Sequence, residues 1–212
     1  MNRIDAPVRR RTPFTRAERV ATGIVAAATI GFAVYGIATD ADSTFVYVGS
    51  VVLLAGLIAW VRTDPIPGAL VIALALDATA HLAGGLISVG SDVLYNGSIG
   101  PRAGALHTHV LQYDHLVHAT GTMLATLTLW VLLVRPFLNG VSAGPTIVLC
   151  VLGGVGIGAI NETVEYIATI SHQAVHVGGY DNAGWDLISN SVGAVVAAVI
   201  IRRSGLASPT VR

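Results

Sequence analysis

Asp114 and His118 stand four residues apart in the segment YDHLVHATG, at the head of a run that is otherwise apolar. Three more polar pairs recur at helical spacing. They are Asp77 and His81 in LALDATAHLAGG, Glu162 and Glu165 in AINETVEYIA, and Asp186 and Asn190 in GWDLISNSVGA. Residues three or four apart share one helix face, so each pair points one way. Four such faces turned inward can meet at one site.

The chemistry of that set is specific. An isolated Asp at the centre of a membrane helix costs about 2.5–3.5 kcal/mol on insertion scales. Asp77, Asp114, Glu162, Glu165 and Asp186 have no arginine or lysine beside them within the apolar runs. Packed together, ionised carboxylates repel, and either protons or a cation must relieve them. Imidazole nitrogen with carboxylate oxygen suits a divalent metal, zinc ahead of iron or manganese. Calcium and magnesium prefer all-oxygen shells. The expected ligands are Asp77, His81, Asp114, His118, Glu162, Glu165 and Asp186, holding one ion or two. A metal-bound water is acidified, and Glu162 or Glu165, when outside the metal shell, would take its proton. Asn190 or Tyr166 would steady a developing oxyanion. A metal-free network of protons and hydrogen bonds is the alternative.

These residues must be carried by membrane helices. The chain has 212 residues, 53% hydrophobic and 11% charged, with a mean hydropathy of +0.70. Soluble domains carry about 25% charged residues. Apolar runs predict six transmembrane helices near 18–39, 43–62, 66–88, 108–134, 145–169 and 183–202, each about the 20 residues a crossing needs. Pro65 and Pro67 start the third helix, and Arg135-Pro136 ends the fourth. The fold class is therefore an all-α integral membrane bundle. An Arg-rich tail (1–17) precedes a single transmembrane domain (18–203), and a short tail (204–212) follows it. The first apolar run is as long as a span, so it reads as a retained helix rather than a cleaved signal.

Arginines orient the bundle. With the N-terminus inside, the six arginines from Arg3 to Arg19 share the inner side with Arg62, Arg135, Arg202, Arg203 and Arg212. Only Arg102 falls outside, as the positive-inside rule favours. Both termini are then cytoplasmic, the membrane is the cell membrane, and the polar pairs reach the extracytoplasmic half. Asp77 is about 16 Å into its helix at about 1.5 Å per residue. The other pairs lie near outer helix ends. The loops at 89–107 and 170–182 lie on that outer side.

Several features have simpler readings. Asp181 or Asn182 would cap the sixth helix. Trp185 would anchor at the interface, and Tyr113 and Tyr166 would do the same or orient carboxylates. His115 lies off the Asp114–His118 face, while His107, His109, His172 and His176 fall in or near outer loops. Cys150 is a small buried hydrophobe, with no partner for an intrachain disulfide. GGVGIG at 153–158 lacks the Gly-Lys-Ser/Thr ending of a phosphate loop. No nucleic-acid partner is expected.

The ordered set YDHLVHATG, NETVEY and WDLISNSVGA resembles the signature of VanZ-like membrane proteins. It is more similar still to the YjdF-type bacterial membrane proteins, with a D-x3-H helix, an E-x2-E-aromatic helix and a Trp-Asp before the last span. The resemblance covers roughly residues 70–200 and maps the family's polar positions onto Asp114, His118, Glu162, Glu165 and Asp186. Asn190 matches the VanZ-like pattern only. His115 departs from it, standing where Lys or Arg is usual, and the loop SHQAVHVGGYDN is no close match. The VanZ-like link to glycopeptide resistance implies an envelope or lipid-linked substrate.

Together these features point to a metal-dependent membrane enzyme of hydrolase type, with membrane lipid around it and an envelope or lipid substrate. A di-metal redox site is a variant of that reading. A proton- or ion-coupled transporter could use the same residues as a relay. A non-catalytic membrane partner could use them only to fix the bundle.

Overall fold

The computed structural model describes residues 11–99, 111–137, 143–171 and 180–204. Among these residues six long helices follow one another: α1 (Arg16–Ala38), α2 (Thr44–Val61), α3 (Gly68–Leu86), α4 (Tyr113–Leu129), α6 (Ala143–Ser171) and α7 (Tyr180–Arg203). The fourth continues past α4 through a π-helical turn, Trp130–Val134, into the short α5 (Arg135–Phe137). All six are long and apolar enough to cross a membrane. The all-α six-span bundle expected from sequence is what the chain forms.

The bundle is inside out by the standard of a soluble protein. Large apolar side chains face outward, including Leu53 at 76% exposure and Trp60 at 70%. The interior holds Ala194, Ala197, Thr126, Asp186 and Asn190. Lipid solvates the outer side chains as well as any core would, so small and polar residues take the helix contacts. Cys150 is a buried free thiol beside Trp130 and Ile201, as its apolar setting predicts.

Boundaries follow local chemistry. Thr15 caps α1, and Glu18 returns a bond to the Thr15 amide in a reciprocal capping box. Pro67 stands at the N-cap of α3, so the helix starts at Gly68 rather than 66. The fourth span starts at Tyr113, not at 108. The chain entering it pairs with the loop that follows α3: Ile99 N–H donates to Leu111 O, and Tyr113 N–H to Gly97 O, both at 2.9 Å. The last span starts at Tyr180, three residues before the expected 183. That shift moves Asp181 and Asn182 off the cap and into the first turn.

Part of the loop between α3 and α4 is ordered by hydrogen bonding. Antiparallel β1 (Ser88–Val89) and β2 (Asp92–Val93) lead into a 3-10 turn, Leu94–Asn96. Tyr95 drops from that turn into the cluster of Tyr47, Leu82, Leu86 and Val117. At the opposite end, Arg62 closes α2 onto the start of α1. Its guanidinium bonds Glu18 at 2.5 and 2.9 Å and also donates to the carbonyls of Thr12 and Pro13.

Candidate functional site: a histidine and four carboxylates between three helices

The polar centre sits where α4, α6 and α7 meet, toward the end at which α4 and α7 begin. Both helices present their N-terminal turns there, and the positive end of a helix dipole favours carboxylates. Asp114 and His118 lie one turn apart on α4, Glu162 and Glu165 on α6, and Asp186 and Asn190 on α7. Asp114, His118, Asp186 and Asn190 are all buried.

His118 is the hub. Its Nδ1 stands 3.1 Å from Glu162 Oε1, and its Nε2 stands 3.2 Å from Asp114 Oδ1. The same Nε2 is 3.7 Å from Glu165 Oε1 and 3.9 Å from Asp186 Oδ1. The last two distances are too long for hydrogen bonds. They suit atoms sharing an ion, since two ligands each about 2.0–2.2 Å from a metal lie no more than about 4.4 Å apart. Asp114, His118 and Asp186 can each bring one ligand atom within 4.8 Å of the others, and so can Glu162, Glu165 and Asp186. Asp186 belongs to both groups.

The amides around this centre are committed to holding it. Thr122 Oγ1 donates to Asn190 Oδ1 at 2.6 Å, and Asn190 Nδ2 donates to Glu162 Oε1 at 3.0 Å. Asn161 Nδ2 donates to Glu165 Oε1 at 2.7 Å. Asn182 Nδ2 donates to both Asp186 Oδ2, at 2.6 Å, and Asp114 Oδ2, at 3.1 Å. Asn190 thus accepts from Thr122 and gives one of its two amide N–H donors to Glu162. Tyr166 is 65% exposed on the outer face of α6.

Two expected ligands lie elsewhere. Asp77 accepts from Thr120 Oγ1 at 2.7 Å, on the α3–α4 contact. His81 Nδ1 is 2.6 Å from the Tyr95 hydroxyl and packs among the rings of Tyr47 and Tyr95. Neither joins the two ligand groups the structure assembles. Burial holds the Tyr95 phenol well above its ordinary pKa, so the hydroxyl stays protonated in its hydrogen bond with His81 Nδ1. The D-x3-H spacing in α3 does define a face, but its two side chains bond Thr120 of α4 and Tyr95 of the 3-10 turn, not α6 and α7.

The structure also adds residues. His115, expected to point away, is buried, with its ring beside Trp185 and its Nε2 4.0 Å from Asp186 Oδ1. It lies three residues before His118, and that i,i+3 spacing was the signal for it. Asn182, read as a cap, is four residues before Asp186 and joins the two carboxylates. Trp185 is half-buried against His115 rather than a free interfacial anchor. Tyr113 donates to the Ala80 carbonyl at 3.2 Å and orients no carboxylate. His107, His109, His172 and His176 lie outside the described residues.

No curated protein and no solved structure matches the chain. A family model described as "Predicted membrane protein (DUF2238)" matches residues 19–205, a stretch that takes in the polar centre and reaches into all six spans. The chain belongs to this DUF2238 family of predicted membrane proteins.

Proposed function

We propose that the protein is a metal-dependent membrane enzyme of hydrolase type, acting on a lipid or lipid-linked envelope substrate. One observation carries this reading. Three carboxylate oxygens from three different helices lie within 3.9 Å of His118 Nε2, and two of them are beyond hydrogen-bond reach of it. A cation at that point would neutralise charges that otherwise repel.

In this reading Asp114, His118 and Asp186 hold the ion, and Glu165 completes the shell or acts as base toward the bound water. Glu162 stands behind His118 and receives its Nδ1–H. That is the carboxylate–histidine–metal arrangement, which fixes the ring and makes Nε2 a better ligand. Thr122 and Asn190 extend the support outward. The mixed nitrogen and oxygen donors favour zinc over iron or manganese. Glu162, Glu165 and Asp186 would accept a second ion, with Asp186 between the two. Bound metal supplies an acidified water for attack.

The arginine bias argues that this end of the bundle faces the extracytoplasmic side. The VanZ-like resemblance supports an envelope substrate by association. A lipid would approach laterally across α6, whose Val164, Ile167 and Ile170 face outward.

A proton-coupled transporter is the second reading, favoured by one fact: His118 has a carboxylate on each ring nitrogen, as a relay needs. Elemental analysis of protein purified without chelators separates the two. Stoichiometric metal in wild type, lost in Asp114→Ala and His118→Ala, is the expected result. A folded wild-type protein free of metal overturns the enzyme reading.

A further inference from the structure

Among the described residues, the buried His115 Nε2 and Asp186 Oδ1 each find no hydrogen-bond partner, and they stand 4.0 Å apart. Leaving such atoms unmet in a buried site is costly. The tautomer of His115 makes the pair more informative. The backbone N–H of Gln112, just ahead of α4, donates to His115 Nδ1 at 3.2 Å. A neutral imidazole has one donor nitrogen and one acceptor nitrogen. With Nδ1 accepting, the proton sits on Nε2, so Nε2 is a donor and has no lone pair for a metal.

We propose that His115 Nε2–H and Asp186 Oδ1 form a seat for one O–H group, a water molecule, placed against the metal centre. The gap decides the occupant. At 4.0 Å the two groups are too far apart to bond directly. An oxygen about 2.8 Å from each spans the gap and makes two good hydrogen bonds. One wall donates and the other accepts, so the oxygen must accept from His115 and donate to Asp186. Water and hydroxyl groups do both, whereas a carbonyl oxygen has no proton to give Asp186. The Asp186 oxygen that receives this proton is the one 3.9 Å from His118 Nε2. The seated water is thus next to the metal position, where a hydrolytic nucleophile has to be.

This deepens the metal-hydrolase reading and rests on it for what the water does, though not for where the water sits. It also gives the unusual histidine of the YDHLVH segment a role distinct from that of His118. His118 offers Nε2 to the ion, while His115 is held by the Gln112 amide in the opposite sense and cannot.

The test is nitrogen-15 histidine NMR of the full chain in micelles, metal-free and zinc-loaded, combined with water-proton relaxation of the manganese-loaded protein. The expected spectrum shows His115 as the Nε2–H tautomer in both states, with a water cross-peak to that proton. Zinc then shifts His118 Nε2 and not His115 Nε2. His115→Gln, whose amide keeps a donor near the Nε2 position, should retain the water lifetime on manganese. His115→Ala should shorten it about tenfold, the equivalent of one lost hydrogen bond. An Nδ1–H tautomer, or a zinc shift on His115 Nε2, overturns the seat while leaving the metal reading intact. A folded protein that binds neither zinc nor manganese overturns the metal reading, and the metal-free tautomer and water cross-peak still decide the seat.

Discussion

The Asn190 amide donates to the same Glu162 oxygen that faces His118 Nδ1, so one α7 side chain sets the ring that α4 turns toward the centre. The line continues to Thr122, whose hydroxyl donates to Asn190 Oδ1. Outer partners of a metal-bound histidine typically contribute about 10–100-fold in metal affinity. On the proposed metal reading, Asn190→Ala and Thr122→Val should each weaken zinc binding within that range without abolishing it, while His118→Ala should abolish it. Competition titration against a chromophoric chelator reads this directly. Unchanged affinity in Asn190→Ala would mean that Glu162 does not orient His118.

The α3 pair gives the contrasting case. Asp77 is bonded to Thr120 and His81 to Tyr95, on the far side of α4 from the carboxylates of α6 and α7. Asp77→Asn and His81→Ala should therefore keep the metal stoichiometry of the wild type. Elemental analysis of the two variants checks this, and loss of metal from either would place α3 in the coordination shell.

The comparison also marks the limit of reading spacing alone. The i,i+4 and i,i+3 pairs of α4, α6 and α7 told correctly which residues share a face. Nothing in the spacing said which helices adjoin, so the α3 pair looked equivalent to the others. His115 was missed for a related reason. It lies off the Asp114–His118 face, yet α7 packs on the side of α4 that carries it and brings Asp186 and Trp185 to its ring. Asn182 was missed because the last helix starts three residues earlier than its apolar run suggests. An apolar run marks the hydrocarbon, whereas a helix persists beyond it wherever its N–H groups find partners.

Contact between α4 and α7 should be the most sensitive part of the scaffold. A Cβ on Gly193 would collide with the carbonyl oxygen of Ala119, and one on Gly158 would lie 2.7 Å from Asn190 Cβ. Backbone cannot yield as a flexible side chain can, so Gly193→Ala must push α7 from α4. Overpacking of this kind costs about 1–3 kcal/mol. The same shift separates Asp186 from His118, so stability and zinc affinity should fall together. Gly156→Ala, on the same helix as Gly158 but with open space where its Cβ would stand, should lower neither. Unfolding in mixed micelles with rising SDS fraction, read beside a zinc titration, tests the pairing.

The Glu18–Arg62 pair should matter to stability and not to the site. Both side chains are buried, at 2% and 3% exposure. Glu18 also accepts from the Ile66 and Thr15 amides, and Arg62 also donates to the Thr12 and Pro13 carbonyls while lying over the Phe14 ring. The pair therefore ties the start of α1 to the turn between α2 and α3. Removing one partner leaves a buried charge without its counter-ion, which costs about 3–5 kcal/mol. Glu18→Met and Arg62→Met should each lose stability on that scale. The double variant should lose less than the sum of the two, because the second substitution removes the orphaned charge. All three should keep wild-type metal stoichiometry, since the polar centre lies at the opposite end of the bundle. SDS unfolding of the four proteins closes the double-mutant cycle. A strictly additive double variant would show that the two charges do not depend on one another for their burial.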